Sequence, residues 1–81
     1  NDMTQPELEF EIVLEGYTFF VTFCTAGKNL ATLQTISLCG FPIDIAEMDV
    51  DKQFDKYMFC IKHEMHERCN QYWSEQLKQV A

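Results

Sequence analysis

The sequence predicts an α+β fold, in which a small antiparallel meander of two or three strands packs against one long C-terminal helix. The first forty residues alternate apolar and polar side chains and are rich in aromatic and β-branched types, as half-buried strands are. From about residue 50 the apolar residues recur at helical spacing instead. The chain of 81 residues is therefore expected to form a single domain, with a flexible tail at residues 1–6, a sheet region at residues 8–39 and a helix at residues 50–79.

The first two strands are predicted at residues 8–14 and 17–24. In LEFEIVL one face of a strand would carry Leu8, Phe10, Ile12 and Leu14, and the other would carry Glu9, Glu11 and Val13. The second stretch, YTFFVTFC, is rich in residues that favour strands. Glu15-Gly16 between the two stretches indicates a two-residue hairpin turn, although Glu is unfavourable where the backbone φ is positive.

The stretch LATLQTISLC at residues 30–39 is compatible with two structures. A helix would be capped by Asn29 and would end before Gly40. A strand is favoured by the alternating Thr and Ile residues, and we expect a strand that forms the third member of the meander. The sequence Gly-Phe-Pro that follows ends this element.

The long helix over residues 50–79 is predicted from an uninterrupted helical period without Gly or Pro. Asp49 or Asp51 can cap its start, and acidic residues in the first turn suit the helix dipole. One face of the helix is predicted to cover the sheet, with Phe54, Tyr57, Met58, Ile61, Met65, Cys69, Tyr72 and Gln76.

Four potential metal ligands recur every three residues in CIKHEMHERC, residues 60–69. Because three residues advance about 300° around a helix, Cys60, His63, His66 and Cys69 cannot all converge on one tetrahedral ion. His63 and His66 can supply two ligands at most, and a dimer would be needed to complete such a site. We therefore predict no metal site and no cofactor, with a metal- or redox-responsive domain using all four residues as the alternative.

Catalytic motifs are not evident in the chain. It contains no Gly-rich phosphate loop and no serine elbow, and a cysteine in the middle of a helix has no free backbone amides beside it to lower its pKa. The acidic run at residues 44–51 lacks the residue order of a calcium loop and is predicted to be a solvated connection with a helix cap. We expect no enzymatic activity.

The net charge of −7 is distributed unevenly along the chain. Residues 1–51 carry nine acidic residues against one lysine, a net −8, and the remaining residues carry four against five, a net +1. An acidic chain repels phosphate backbones, so we predict no direct nucleic-acid binding but a protein partner with a basic surface. Glu7, Glu9 and Glu11 repeat at about 7 Å, close to the spacing of phosphates along a DNA strand, so an inhibitor that mimics DNA is one specific form of this hypothesis.

A second stripe on the helix contains Phe59, His66, Trp73 and Val80 at seven-residue spacing, with Leu77 beside it. This stripe either forms part of one wide core face or is an interface, since exposed aromatic residues commonly anchor protein contacts.

The long helix also exceeds the length that short strands can cover, so its C-terminal part, with Tyr72, Trp73 and Leu77, is expected to extend beyond the sheet. Pairing of two such helices in a homodimer would bury this part of the surface.

The chain has no run of apolar residues that could span a bilayer and no basic-then-apolar leader, so we predict a cytoplasmic protein with reduced thiols and no membrane partner. In size, acidity and lack of catalytic motifs it resembles the accessory and inhibitor proteins of phages and mobile elements. The leading hypothesis is a small, non-enzymatic interaction module that binds a protein partner and regulates or inhibits it. A purely structural subunit that associates with copies of itself is a further possibility.

Overall fold

The computed structural model describes residues 5–80, and the side chains of residues 5–78. It contains a four-stranded antiparallel sheet in the order β1-β2-β3-β4, followed by one long helix. The strands are β1 (Glu7–Leu14), β2 (Tyr17–Gly27), β3 (Leu30–Leu38) and β4 (Phe41–Ile43). The helices are α1 (Ile45–Val50) and α2 (Asp55–Val80), with a 3₁₀ turn at Lys52–Phe54 between them. The predicted α+β class and long C-terminal helix are confirmed, and most of the predicted tail at residues 1–6 lies outside the described residues.

The turn between β1 and β2 is the two-residue hairpin that the sequence predicts. Glu15 and Gly16 have φ values of 52° and 84°, and two positive φ values in succession match the right-handed twist of the flanking strands. The unfavourable glutamate is held by α2, because its carboxylate accepts hydrogen bonds from Lys56 Nζ and Tyr57 Oη, each at 2.8 Å. The turn therefore also connects the sheet to the start of the helix.

The sheet has four strands, so the prediction of two or three was too low. Residues 30–39 are a strand, as expected, and a second turn at Cys39 and Gly40, with φ values of 50° and 91°, returns the chain as β4. Proline cannot donate a backbone hydrogen bond, and it is tolerated here because β4 lies at the edge of the sheet. The predicted sheet region of residues 8–39 was therefore too short, because β4 extends the sheet to Ile43.

The long helix starts later than predicted. The acidic run at residues 44–51 was expected to be a solvated connection, but it forms the short helix α1, which buries Met48 against the core. The Asp44 side chain caps α1 by accepting from Ala46 N at 2.9 Å. Asp51 adopts an extended backbone, interrupts the helical path and caps the 3₁₀ turn by accepting from Gln53 N at 3.0 Å.

The core lies between one face of the sheet and α2. Side chains at every second position of β2 from Phe19 to Thr25 are fully buried there, whereas the inward side chains of β1 other than Phe10 are half-buried. The buried apolar residues are Phe10, Phe19, Val21, Phe23, Ile36, Met48, Met58, Ile61, Met65 and Cys69. The opposite face of the sheet carries no helix among the described elements, and this face is called the open face below.

Candidate interaction surface

The four residues of the alternative metal or redox hypothesis, in CIKHEMHERC, are not brought together. Cys69 is fully buried, and its thiol lies 3.1 Å from Thr25 Oγ1 and donates to the Gly27 carbonyl oxygen at 3.3 Å. Cys60 is half-buried on another side of α2, and His63 and His66 are exposed. Within residues 5–80 no group of three or more His, Cys, Asp or Glu side chains is placed to hold a metal ion.

Trp73 was expected to lie beyond the end of the sheet, and this expectation is wrong. It is half-buried against the core, and its indole Nε1 donates to Thr25 Oγ1 at 2.9 Å. A seven-residue repeat drifts by about 20° per heptad around a straight helix, so the stripe that begins outward at Phe59 has turned towards the sheet two heptads later. The end of β2 extends far enough along α2 to meet it.

The remainder of the second helix stripe is exposed. Phe59 is 73% exposed and Leu77 is 63% exposed, and His66 is also at the surface. Tyr72 is half-buried and packs edge-on against the Trp73 ring, with 5.1 Å between the ring centroids. Val80 lies beyond the side chains that the structure describes. The stripe is therefore divided into a part that belongs to the core and a part that faces outward.

The three predicted acidic residues of β1 lie together on the open face of the sheet. Glu7, Glu9 and Glu11 are exposed and alternate with inward-facing apolar residues, which gives a spacing of about 7 Å along the strand. We call these three side chains the carboxylate row. None of the ion pairs found among the described side chains of residues 5–78 involves the row, so no described basic residue neutralises its charge.

β1 is also an edge strand of the sheet. The carbonyl oxygen of Pro6 accepts from Thr25 N at 3.2 Å, so these two residues form a hydrogen-bonded pair. Hydrogen-bonded and non-hydrogen-bonded pairs alternate along an antiparallel ladder, so this bond shows which residues of β1 face β2 with their backbone groups. The even-numbered residues of β1 direct their backbone groups towards β2. The backbone N–H and C=O groups of Glu7, Glu9, Glu11 and Val13 are therefore directed away from the sheet.

A groove runs between the exposed edge of β1 and α2. Its main cavity, of about 370 Å³, is mostly apolar and is lined by Ile12, Leu14, Phe59, Cys60, His63 and Glu64. A second cavity of about 240 Å³ continues the groove at the other end of β1 and is lined by Leu8, Glu9, Arg68, Gln71, Tyr72 and Glu75.

Arg68 partly separates the two cavities of the groove. Its guanidinium lies 5.4 Å from the centre of the Phe10 ring, and its Nε donates to Glu64 at 2.7 Å. Since the Arg68 charge is already paired with Glu64, the groove adds no free positive charge beside the carboxylate row.

Another depression, of about 530 Å³, lies elsewhere, between the start of α2, the start of β2 and the end of β3. Its polar groups are mainly Lys56 and Tyr57, which both bind Glu15. The hydrogen bond from Lys56 holds the pKa of Glu15 below its ordinary value, and the reciprocal bond raises the pKa of Lys56. These groups are therefore satisfied within the fold and do not converge on a free ligand position.

Comparisons of the chain with protein-family models, with curated proteins and with solved structures found no match. None of the helices in residues 5–80 is long and apolar enough to cross a membrane.

Proposed function

We propose that this chain is a small, non-enzymatic interaction module that binds a protein partner with a basic surface and regulates or inhibits that partner. The observation that carries the proposal is the position of the carboxylate row, which has no ion-pair partner among the described residues, beside an apolar groove that contains the exposed ring of Phe59. Both features belong to the same side of the molecule, along β1.

The two features have complementary roles in binding. Exposed carboxylates attract a basic surface over about a Debye length and accelerate the encounter. Apolar side chains such as Phe59 and Leu14 provide the desolvated contact that slows dissociation. A solvated acidic surface without an adjoining apolar groove would provide only the first of these effects.

A capture experiment with matched variants tests the proposal. The wild type, Glu9→Gln/Glu11→Gln and Glu47→Gln/Glu67→Gln are immobilised and exposed to an extract of the organism that encodes the chain. Both double variants lose two charges from exposed positions, but only the first changes the carboxylate row. Bound proteins are quantified by mass spectrometry at low and high salt.

We expect at least one basic protein to be retained by the wild type and by the Glu47/Glu67 variant, to be depleted with the Glu9/Glu11 variant, and to be released by salt. If both double variants retain the same proteins in equal amounts, the carboxylate row serves only solubility and the proposal is wrong. Should a retained protein be one that handles nucleic acid, the DNA-mimic form of the proposal is supported.

A further inference from the structure

We propose that β1 is a docking edge, which binds an extended partner segment with alternating basic and apolar residues as an additional strand of the sheet. The inference rests on the proposed function and specifies how the partner is bound. Three independent features support it: the outward backbone groups of β1, the different chemistry of its two faces, and the repulsion that opposes pairing with a second copy.

The backbone of β1 offers a long row of hydrogen-bonding groups. The strand has eight residues and contains no proline, and its backbone groups at Glu7, Glu9, Glu11 and Val13 are directed away from β2. The other edge of the sheet, β4, has only three residues, one of which is Pro42. An incoming strand therefore finds a continuous ladder at β1 and hardly any at β4.

The two faces of β1 specify the side chains of the incoming strand. Residues directly opposite each other in a sheet lie on the same face with their Cβ atoms about 5 Å apart. Lysine or arginine opposite Glu9 and Glu11 would therefore meet carboxylates on the open face. The alternate residues would point towards α2, where the cavity of about 370 Å³ beside Ile12 and Phe59 accepts apolar side chains.

A second copy of the chain is a poor occupant of this edge. Antiparallel pairing of two β1 strands about a two-fold axis normal to the sheet keeps like faces together. With the axis at Glu9, this residue meets its own copy and Glu7 meets Glu11 of the other chain. With the axis at Phe10, Glu9 meets Glu11 of the other chain. Like charges directly opposite each other destabilise a sheet. A strand with basic residues at these positions would replace each repulsive contact by an attractive one.

Two synthetic peptides of identical composition provide the probe. One has the sequence Lys-Val-Lys-Val-Lys-Val-Lys, and its block isomer has the sequence Lys-Lys-Lys-Lys-Val-Val-Val; both carry the same fluorescent label. Binding to the wild type is measured by anisotropy at low salt. We expect the alternating peptide to bind at least about tenfold more tightly, since the block isomer cannot place its lysines on the open face and its valines in the groove at the same time.

Amide hydrogen exchange of the unmodified chain then locates the complex. Edge binding should slow exchange at Glu9, Glu11 and Val13, whose N–H groups are directed outward, and should change little at Phe10 and Ile12, which already face β2. This measurement requires no variant and so does not depend on any substituted protein being folded.

Variants separate the backbone contribution from the charge contribution. Val13→Pro removes an outward N–H, retains the whole carboxylate row and leaves the hydrogen bonds to β2 in place. It should weaken binding of the alternating peptide about fivefold or more, whereas Val13→Thr should stay within about twofold. Glu11→Gln should weaken binding about two- to fivefold through the lost charge pair. Circular dichroism and thermal unfolding establish that each variant is folded.

The outcomes distinguish this inference from the proposed function. If a basic partner is captured in a charge-dependent way but the edge amides exchange as before, the interaction module stands and strand addition is wrong. Equal affinity for the two peptide isomers also overturns strand addition. Increased self-association of Glu9→Gln/Glu11→Gln without loss of peptide affinity would show that the carboxylates only guard the edge against self-pairing. Slowed edge exchange together with a preference for the alternating peptide supports the inference.

Discussion

Replacing Thr25 by valine removes one hydroxyl group from the junction between β2 and α2 while keeping the shape of the side chain. Thr25 is fully buried, and its Oγ1 accepts hydrogen bonds from Trp73 Nε1 at 2.9 Å and from Gly27 N at 3.3 Å. The hydroxyl itself donates to the Gly27 carbonyl oxygen at 3.0 Å. In Thr25→Val both N–H donors lose this acceptor.

The expected cost follows from these partners. A buried donor left without an acceptor costs about 1–3 kcal/mol, and Trp73 is only half-buried, so water can compensate part of its loss. The Cys69 thiol keeps the Gly27 carbonyl oxygen as a partner. We therefore expect Thr25→Val to lower the free energy of unfolding by about 2 kcal/mol, a large share of the 5 kcal/mol or so that is typical of a small domain.

Urea unfolding followed by far-UV circular dichroism measures this change, with Thr32→Val as the matched control. Thr32 is exposed on β3, so its substitution should change the free energy of unfolding by less than about 0.5 kcal/mol. The decisive step is a double-mutant cycle with Trp73→Phe, which removes the indole donor. In that background Thr25→Val should cost about 1 kcal/mol less. An equal cost in both backgrounds would show that the Thr25–Trp73 hydrogen bond does not stabilise the junction.

Three further predictions follow from the structure. Ile61→Asp should unfold the domain, because it places an unpaired charge at a fully buried position. His63→Ala, at an exposed position, should change the free energy of unfolding by less than about 0.5 kcal/mol, and a large drop in its melting temperature in metal-containing buffer would contradict this. The hydrogen bond from Lys56 lowers the pKa of Glu15 from its ordinary value of 4.5, so the stabilising effect of the ionised carboxylate is present above that pH and is lost as the pH falls through the lowered pKa. As the pH is lowered below 4.5, the wild type should therefore lose more stability than Glu15→Gln, and parallel curves of stability against pH would refute this. If two copies pair through the exposed part of the second helix stripe, the wild type should sediment as a dimer and Phe59→Glu as a monomer. A wild type that is monomeric at about 100 µM would rule out the homodimer.

The sheet was predicted well where the signal is local. The alternation in residues 8–14 and the Glu15-Gly16 turn depend on neighbours in sequence, and the structure confirms β1, β2 and the turn between them. β4 was missed because a three-residue strand that contains Pro42 has no period of its own. It is defined by its pairing with β3 across the Cys39–Gly40 turn, which is information that a local pattern does not contain.

The candidate surface was predicted only in part for a similar reason. That Glu9 and Glu11 share an exposed face follows from the two-residue period of a strand. The position of β1 at an edge depends on the order of all four strands, and the groove depends on how α2 crosses them. Trp73 was misplaced for two reasons: the stripe drifts around α2 towards the sheet, and β2 continues to Gly27 and so meets the indole.

The simple strand order has a consequence for how the chain reaches its native state. Each strand pairs with the next one along the chain, and the turns at Glu15–Gly16 and Cys39–Gly40 are only two residues long, so forming the sheet closes short loops at little entropic cost. Contacts of high sequence separation enter mainly when α2 docks, as when Trp73 reaches Thr25 across 48 positions. Hairpin formation should therefore be rapid, with helix docking as the slower step. Because α2 follows the sheet in the chain, a sheet that forms during synthesis keeps its apolar face in water until the helix has emerged.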